Sequence, residues 1–186
     1  TRIAGMVEIE PWWLPAELQT SGAVAYGLPV ALENTVGMRF AFVPAGSYTL
    51  GSPSNEPFRE IEEPLRQVSV SRAFYLSATE VTQAHWTEIT GRKPPSIFVG
   101  GDLPVDSIDG IEAVRFCNAL SAAENLEACY IEQTGRVGFL GVHAPGYRLP
   151  TEAEWEIACR AGSRTPFSTG AGLATDAANF DGSDSQ

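Results

Sequence analysis

Apolar and polar positions recur at two periods along this chain, and the switches between them mark its elements. Met38-Arg39-Phe40-Ala41-Phe42-Val43 alternates as a half-buried strand does. Pro44-Ala45-Gly46 turns the chain, and Ser47-Tyr48-Thr49-Leu50-Gly51 reads as the partner strand. Residues 52–66 are rich in serine, asparagine, proline and acidic side chains and read as loop. Extended chain returns at 67–70 and 73–76. The period then becomes helical. Thr82 caps a helix over 83–90 that Gly91 ends, and a Pro/Gly-rich loop follows over 91–102. Asp109 and Glu112 have capping-box spacing and open the longest helix, over 110–124, with Ile111, Val114, Phe116, Cys117 and Leu120 as its inner face. Two apolar runs, 129–131 and 137–140, flank Gln133-Thr134-Gly135-Arg136 and predict a hairpin.

The densest local signal lies over residues 146–162. Pro150 stops an extended segment, Thr151 caps a helix, and Glu154 completes the capping box three residues on. Ala153, Trp155, Ile157 and Ala158 predict the apolar face, and Gly162 is placed to close the helix. Glu152 and Glu154 fall in the first turn, where negative charge favours the helix dipole, so capping or a link to Arg148 is read there rather than acid–base chemistry. Arg148, between Tyr147 and Leu149, reads as a buried anchor for a carboxylate or backbone carbonyls.

Residues 1–34 read as a lead segment or docking strap, and residues 35–186 as the domain proper. Pro11-Trp12-Trp13-Leu14-Pro15 is apolar but bracketed by prolines, and a short helix follows over 16–19. Trp12 and Trp13 cover either the domain's own surface or a partner chain. Short strands, two or three short helices and long loops give an α+β fold class. Loops of this length are functional or are tied down by ions, disulfides or partners.

Composition narrows the function. A net charge of −11, with 12 scattered Lys and Arg, argues against a nucleic-acid partner. The one acidic cluster, Glu60-Ile61-Glu62-Glu63, is either a solvated loop or a patch for a cation or basic partner. No apolar stretch approaches the ~18 residues of a membrane span. The chain starts without Met or a signal-peptide core, which leaves export with signal removal and a cytoplasmic location both open. The three cysteines, Cys117, Cys129 and Cys159, form no Cys-x-x-Cys, and His85 lies far from His143, so a zinc site built from local motifs is not expected. His85, in the first turn of its helix, reads as a surface or capping residue.

The string from Gly146 through Gly162, with Arg148, Thr151, Glu152, Glu154 and Trp155, closely resembles the signature of the formylglycine-generating-enzyme family, the sulfatase-modifying factors. Three further blocks resemble it in order: 34–52, 63–83, and Leu103-Pro104-Val105 followed by 113–118. The resemblance implies a C-type-lectin-like fold of mixed helix and strand with much loop. It departs at Asp109-Gly110, where the family has an aromatic Ser-Trp, and at Ala119, where a Trp is frequent. The family also continues with a Gly-Asn-Val-x-Glu-Trp block, an active-site cysteine pair and an Arg-Gly-Gly segment, none of which occurs here. The domain therefore reads as incomplete at its C-terminus.

The resemblance implies two metals. Calcium would fall at the Asn179 side chain and the Phe180 carbonyl, as oxygen ligands suit a hard ion. Copper is expected only if a complementing C-terminal half supplies the cysteine pair, since soft thiolates suit Cu(I). No catalytic residue is assigned in this chain. Cys117 and Cys159 read as helix-core residues, either free thiols or disulfide partners of cysteines in the second half. Two functions follow from the resemblance. One is a binding or scaffold module for a protein or peptide, including a complementing segment or another chain. The other is the N-terminal part of a copper-dependent oxidase that converts a sulfatase cysteine to formylglycine. A lectin binding sugar through calcium is disfavoured, because the Glu-Pro-Asn type of motif is absent.

Overall fold

A computed structural model describes residues 6–11, 16–56, 59, 63–168 and 170–173. The elements run β1 (Val7–Glu8), α1 (Glu17–Tyr26), β2 (Ala31–Glu33), β3 (Arg39–Val43), β4 (Gly46–Leu50), β5 (Arg66–Val70), β6 (Phe74–Ser77), α2 (Gln83–Thr90), α3 (Gly110–Ala123), β7 (Tyr130–Gln133), β8 (Arg136–Phe139) and α4 (Glu152–Arg160). This is the expected mixed α+β class with short strands, with four helices among the described residues where two or three were expected. The chain divides into two compact units. One comprises Thr1–Val43 with Phe74–Pro150, and the other Pro44–Ala73 with Thr151–Gln186.

The first unit holds an antiparallel sheet in the order β1-β2-β3-β6. β3 is central: Ala41 pairs with Ala31 of β2 on one side and with Leu76 of β6 on the other. Phe40 and Phe42 alternate inward with Arg39 outward, as the sequence period requires. Phe42 meets Tyr75 edge-on at 5.5 Å, and the Tyr75 hydroxyl donates to Pro29 O at 2.5 Å. The core beneath this sheet joins Leu32, Met38, Phe40, Trp86, Phe116 and Leu120. Trp86 of α2 stacks on Phe116 of α3 with 5.6 Å between centroids and 5° between planes.

The expected pairing of 38–43 with 47–51 does not form. Both edges of β3 are taken, and β4 pairs instead with β5, Tyr48 opposite Val68. A central strand with buried aromatics needs a neighbour on each side. Distant segments supply them here rather than the next strand in sequence.

The helix starting near residue 16 is also longer than expected. It runs to Tyr26 and closes at Gly27, whose φ of 62° is left-handed. Tertiary contacts carry it: Ala23 is buried, and Gln19 Nε2 donates to Phe42 O at 2.9 Å. β1, α1 and β2 thus all come from residues 1–34. Trp12 and Trp13 lie outside the described residues.

Helix starts follow the sequence closely. The Thr82 hydroxyl accepts from His85 N, Asp109 from Glu112 N, and Thr151 from Glu154 N. Each cap satisfies a donor that the helix itself leaves unpaired. Ile111 differs from expectation, lying exposed at the start of α3 while Val114, Phe116, Cys117 and Leu120 are buried.

Candidate functional site

In the second unit, the 151–162 string builds a structural clamp. Thr151 N–H donates to Glu154 Oε2 at 2.8 Å, closing a reciprocal capping box, and Glu154 is buried. Burying Glu154 with Ile157 turns the helix, so Trp155 faces outward at 57% exposure. The expected apolar face over Ala153, Trp155, Ile157 and Ala158 is corrected to that extent. Cys159 is likewise exposed rather than in the helix core. Glu152 is exposed and pairs with Arg66 at 3.2 Å. The helix ends on Ala161 in left-handed geometry (φ 46°), one residue ahead of the expected Gly162.

Glu156 carries the part that the sequence reading missed. Its Oε1 accepts from Gly51 N–H at 2.9 Å and from Arg160 Nε at 2.7 Å, while Arg160 Nη2 donates to Gly51 O at 3.2 Å. Both backbone groups of Gly51 are therefore held by one ion pair. The only local signal was the i, i+4 spacing of Glu156 and Arg160. Burial works against the Glu156 carboxylate, but the Gly51 N–H and Arg160 outweigh it and hold its pKa below the ordinary 4.5. A carboxylate depressed by folding stabilises the fold above its unfolded pKa and loses that effect as pH falls through the folded value. Urea midpoints of wild type and Glu156→Gln should therefore differ most at neutral pH and converge below pH 4.5. Parallel curves across that window would refute the clamp.

In the first unit, the loop after α2 is a display rather than a tether. Gln83 is buried, and its Nε2 donates to Phe98 O (2.7 Å) and Pro104 O (3.2 Å) while its Oε1 accepts from Gly100 N–H (3.2 Å). Asp106 accepts from Ile97 N–H at 3.3 Å, and Ser96 Oγ accepts from Asp106 N–H at 3.0 Å. With its backbone so pinned, the loop holds Ile97, Phe98 and Val99 outward at 77%, 75% and 76% exposure. A cavity of about 490 Å³ opens beside them, lined by Gln83, Ala84, Thr87, Lys93, Pro94 and Val99 among others. No periodicity marks Ile97-Phe98-Val99 as exposed, and its Pro/Gly-rich surroundings predict only loop.

His85 is half-buried on α2. Burial lowers its pKa, against the raising influence of Glu88 and Asp102. Arg148 is half-exposed rather than buried, and its Nη1 donates to the Leu149 carbonyl at 3.1 Å. Cys117 and Cys129 are buried. Burial pushes the Cys117 thiol up to about 12 and raises Cys129 as well. Asn179, Phe180 and the acidic positions Glu60 and Glu62 lie outside the described residues. Among the described residues, no three His, Cys, Asp or Glu side chains converge as a metal's donor set would, and no helix is long and apolar enough to cross a membrane.

Comparison with known proteins places the whole pattern. Residues 28–184 match the family model described as sulfatase-modifying factor enzyme 1-like domain. The chain is 34% identical over 106 residues to a protein of Paenibacillus barcinonensis named chaperone protein LppX, covering 50% of this chain and 38% of that protein. Treponema denticola variable protein 1 superposes with a TM-score of 0.66 at 30% identity, over 75% of this chain and 60% of that one. PvdO from Pseudomonas aeruginosa gives 0.57 at 23% identity, over 74% and 53%, which speaks to the fold alone. The chain thus spans less than two thirds of the length of each of these relatives.

Proposed function

Since the chain belongs to the sulfatase-modifying factor enzyme 1-like family, we propose that this domain works as a protein- or peptide-binding module with no catalytic competence of its own. The observation that carries the reading is the pinned loop with Ile97, Phe98 and Val99 held in solvent. Fully covering three such side chains would contribute roughly 5–9 kcal/mol before the costs of association. A rigid loop also avoids the ordering cost that weakens mobile binders. The name chaperone protein LppX, borne by a relative, supports protein binding. The high thiol pKa of Cys117 and of Cys129 supports the absence of catalysis, because the thiolate is the form that attacks or binds a soft metal. Residues 1–34 act in this reading as the lead segment, with Trp12 and Trp13 as its strap. Calcium at Asn179 and Phe180 belongs to the proposal on the family resemblance alone.

The test is an array of extended peptides graded in apolar content, probed with labelled protein and followed by affinity measurement. Wild type should retain apolar peptides. The double variant Ile97→Ser/Phe98→Ser should bind at least tenfold more weakly, about 1.4 kcal/mol, with an unchanged melting curve. Equal binding by both proteins would overturn the loop's role. Formylglycine formed on a sulfatase-derived cysteine peptide, by this chain with added copper, would establish the oxidase reading instead.

A further inference from the structure

We propose that Cys117 and Cys129 are an oxidisable dithiol, a site at which a small-molecule or protein disulfide closes a bond between α3 and the start of β7. The geometry comes from four ties along one seam of the first unit. The Asn118 carboxamide takes both backbone groups of Tyr130: Nδ2 donates to Tyr130 O at 2.9 Å and Oδ1 accepts from Tyr130 N–H at 3.2 Å. Cys117 and Cys129 immediately precede these two residues. Ser121, one turn beyond Cys117, donates to Cys117 O and accepts from Tyr147 N–H, both at 2.8 Å. The chain presses closest at Gly146, where a Cβ would lie 2.1 Å from Glu127 O and 2.6 Å from Ser121 Oγ. Cys129 Sγ lies 3.8 Å from Ala144 O. Both cysteines are buried along this seam. They are close enough that charge on Cys129 acts on Cys117, and charge on either acts on the Tyr130 hydroxyl. Disulfide closure needs α-carbons about 4.4–6.8 Å apart, and a side chain bridging the adjoining residues can hold such a separation.

The exchange balances with the oxidant named. Cys129, as its thiolate while the seam is open, attacks one sulfur of the oxidant disulfide and releases one thiol. Cys117 then attacks the Cys129 sulfur, forms the Cys117–Cys129 bond and expels the second thiol. The two cysteine protons end on the two released thiols, the protein loses two electrons, and the oxidant gains them. With both thiols buried and weakly acidic, closure belongs to folding, before the seam shuts, or to its opening.

The test refolds the full chain in glutathione buffers of graded potential, then alkylates, digests and maps it by mass spectrometry. The expected result is a linked peptide pair carrying Cys117 and Cys129, lighter by two hydrogen atoms. Exposed Cys159 should be recovered separately, as a glutathione adduct or alkylated. The closed form should melt about 5–10 °C above the reduced form. Cys117→Ser and Cys129→Ser should each abolish the link and leave Cys159 reactivity unchanged. Recovery of Cys117 and Cys129 as free thiols at every potential, or a link from either to Cys159, would overturn the proposal. The wild-type map decides this even if a serine variant fails to fold.

Discussion

Gly51→Ala is expected to destabilise the second unit by on the order of 4 kcal/mol. Gly51 has φ of 85°, and a Cβ there would lie 2.3 Å from the Pro64 carbonyl oxygen and 2.8 Å from its carbon. Two costs add. A left-handed conformation costs an L side chain roughly 1–2 kcal/mol, and relieving a clash with backbone costs roughly 1–3 more. Neither neighbour yields easily, because Ser52 N–H donates to Glu63 O at 3.0 Å and holds the 63–64 segment in place. The backbone shift would also pull Gly51 from Glu156 and Arg160, so the damage should reach α4. Urea unfolding followed by far-UV circular dichroism reads this directly. A loss under ~1 kcal/mol would mean that the close approach to Pro64 is wrong.

Trp86→Ala is expected to cost the first unit about 4 kcal/mol. Trp86 is 1% exposed, lies on Phe116, and has the Arg92 guanidinium 5.6 Å from its ring centroid. Alanine removes the ring from the centre of the core and leaves a cavity between α2 and α3. Trp86→Phe keeps an aromatic on Phe116 and should cost only about 1.5 kcal/mol. The indole N–H has no acceptor among the described residues, so phenylalanine breaks no hydrogen bond there. Function should follow stability here. Gln83, which anchors the 98–104 backbone, lies one turn before Trp86 on α2, so the alanine variant should also weaken peptide capture. Denaturant midpoints by circular dichroism, beside the array assay, would check both. A destabilised variant with full binding would detach the loop from the core.

Each of Thr82, Asp109 and Thr151 was readable as a helix cap because a cap is a bond across three residues and needs nothing from afar. The 129–140 hairpin was readable for the same reason, with its turn residues between two apolar runs. The candidate binding loop was not readable. Ile97-Phe98-Val99 is as apolar as a buried strand, and only the hydrogen bonds of Gln83 and Asp106 turn it outward. The family resemblance rested on blocks that are mostly structural: Thr151 and Glu154 cap a helix, while Gly51, within the opening block, meets Glu156 and Arg160 from the signature.

By itself, then, the sequence determined where helices begin, which segments after residue 34 are extended, the α+β class and the family. These depend on local spacing and on residues that act within a turn or two. Only the tertiary structure decided that β3 pairs with β2 and β6 rather than β4, that Trp155 and Cys159 face out of α4, and that Gly51 sits inside an ion pair more than a hundred residues away in sequence. Those outcomes turn on which distant surfaces compete for the same edge or the same buried face. That competition is settled by packing and by satisfying buried polar groups, and a local pattern does not encode it.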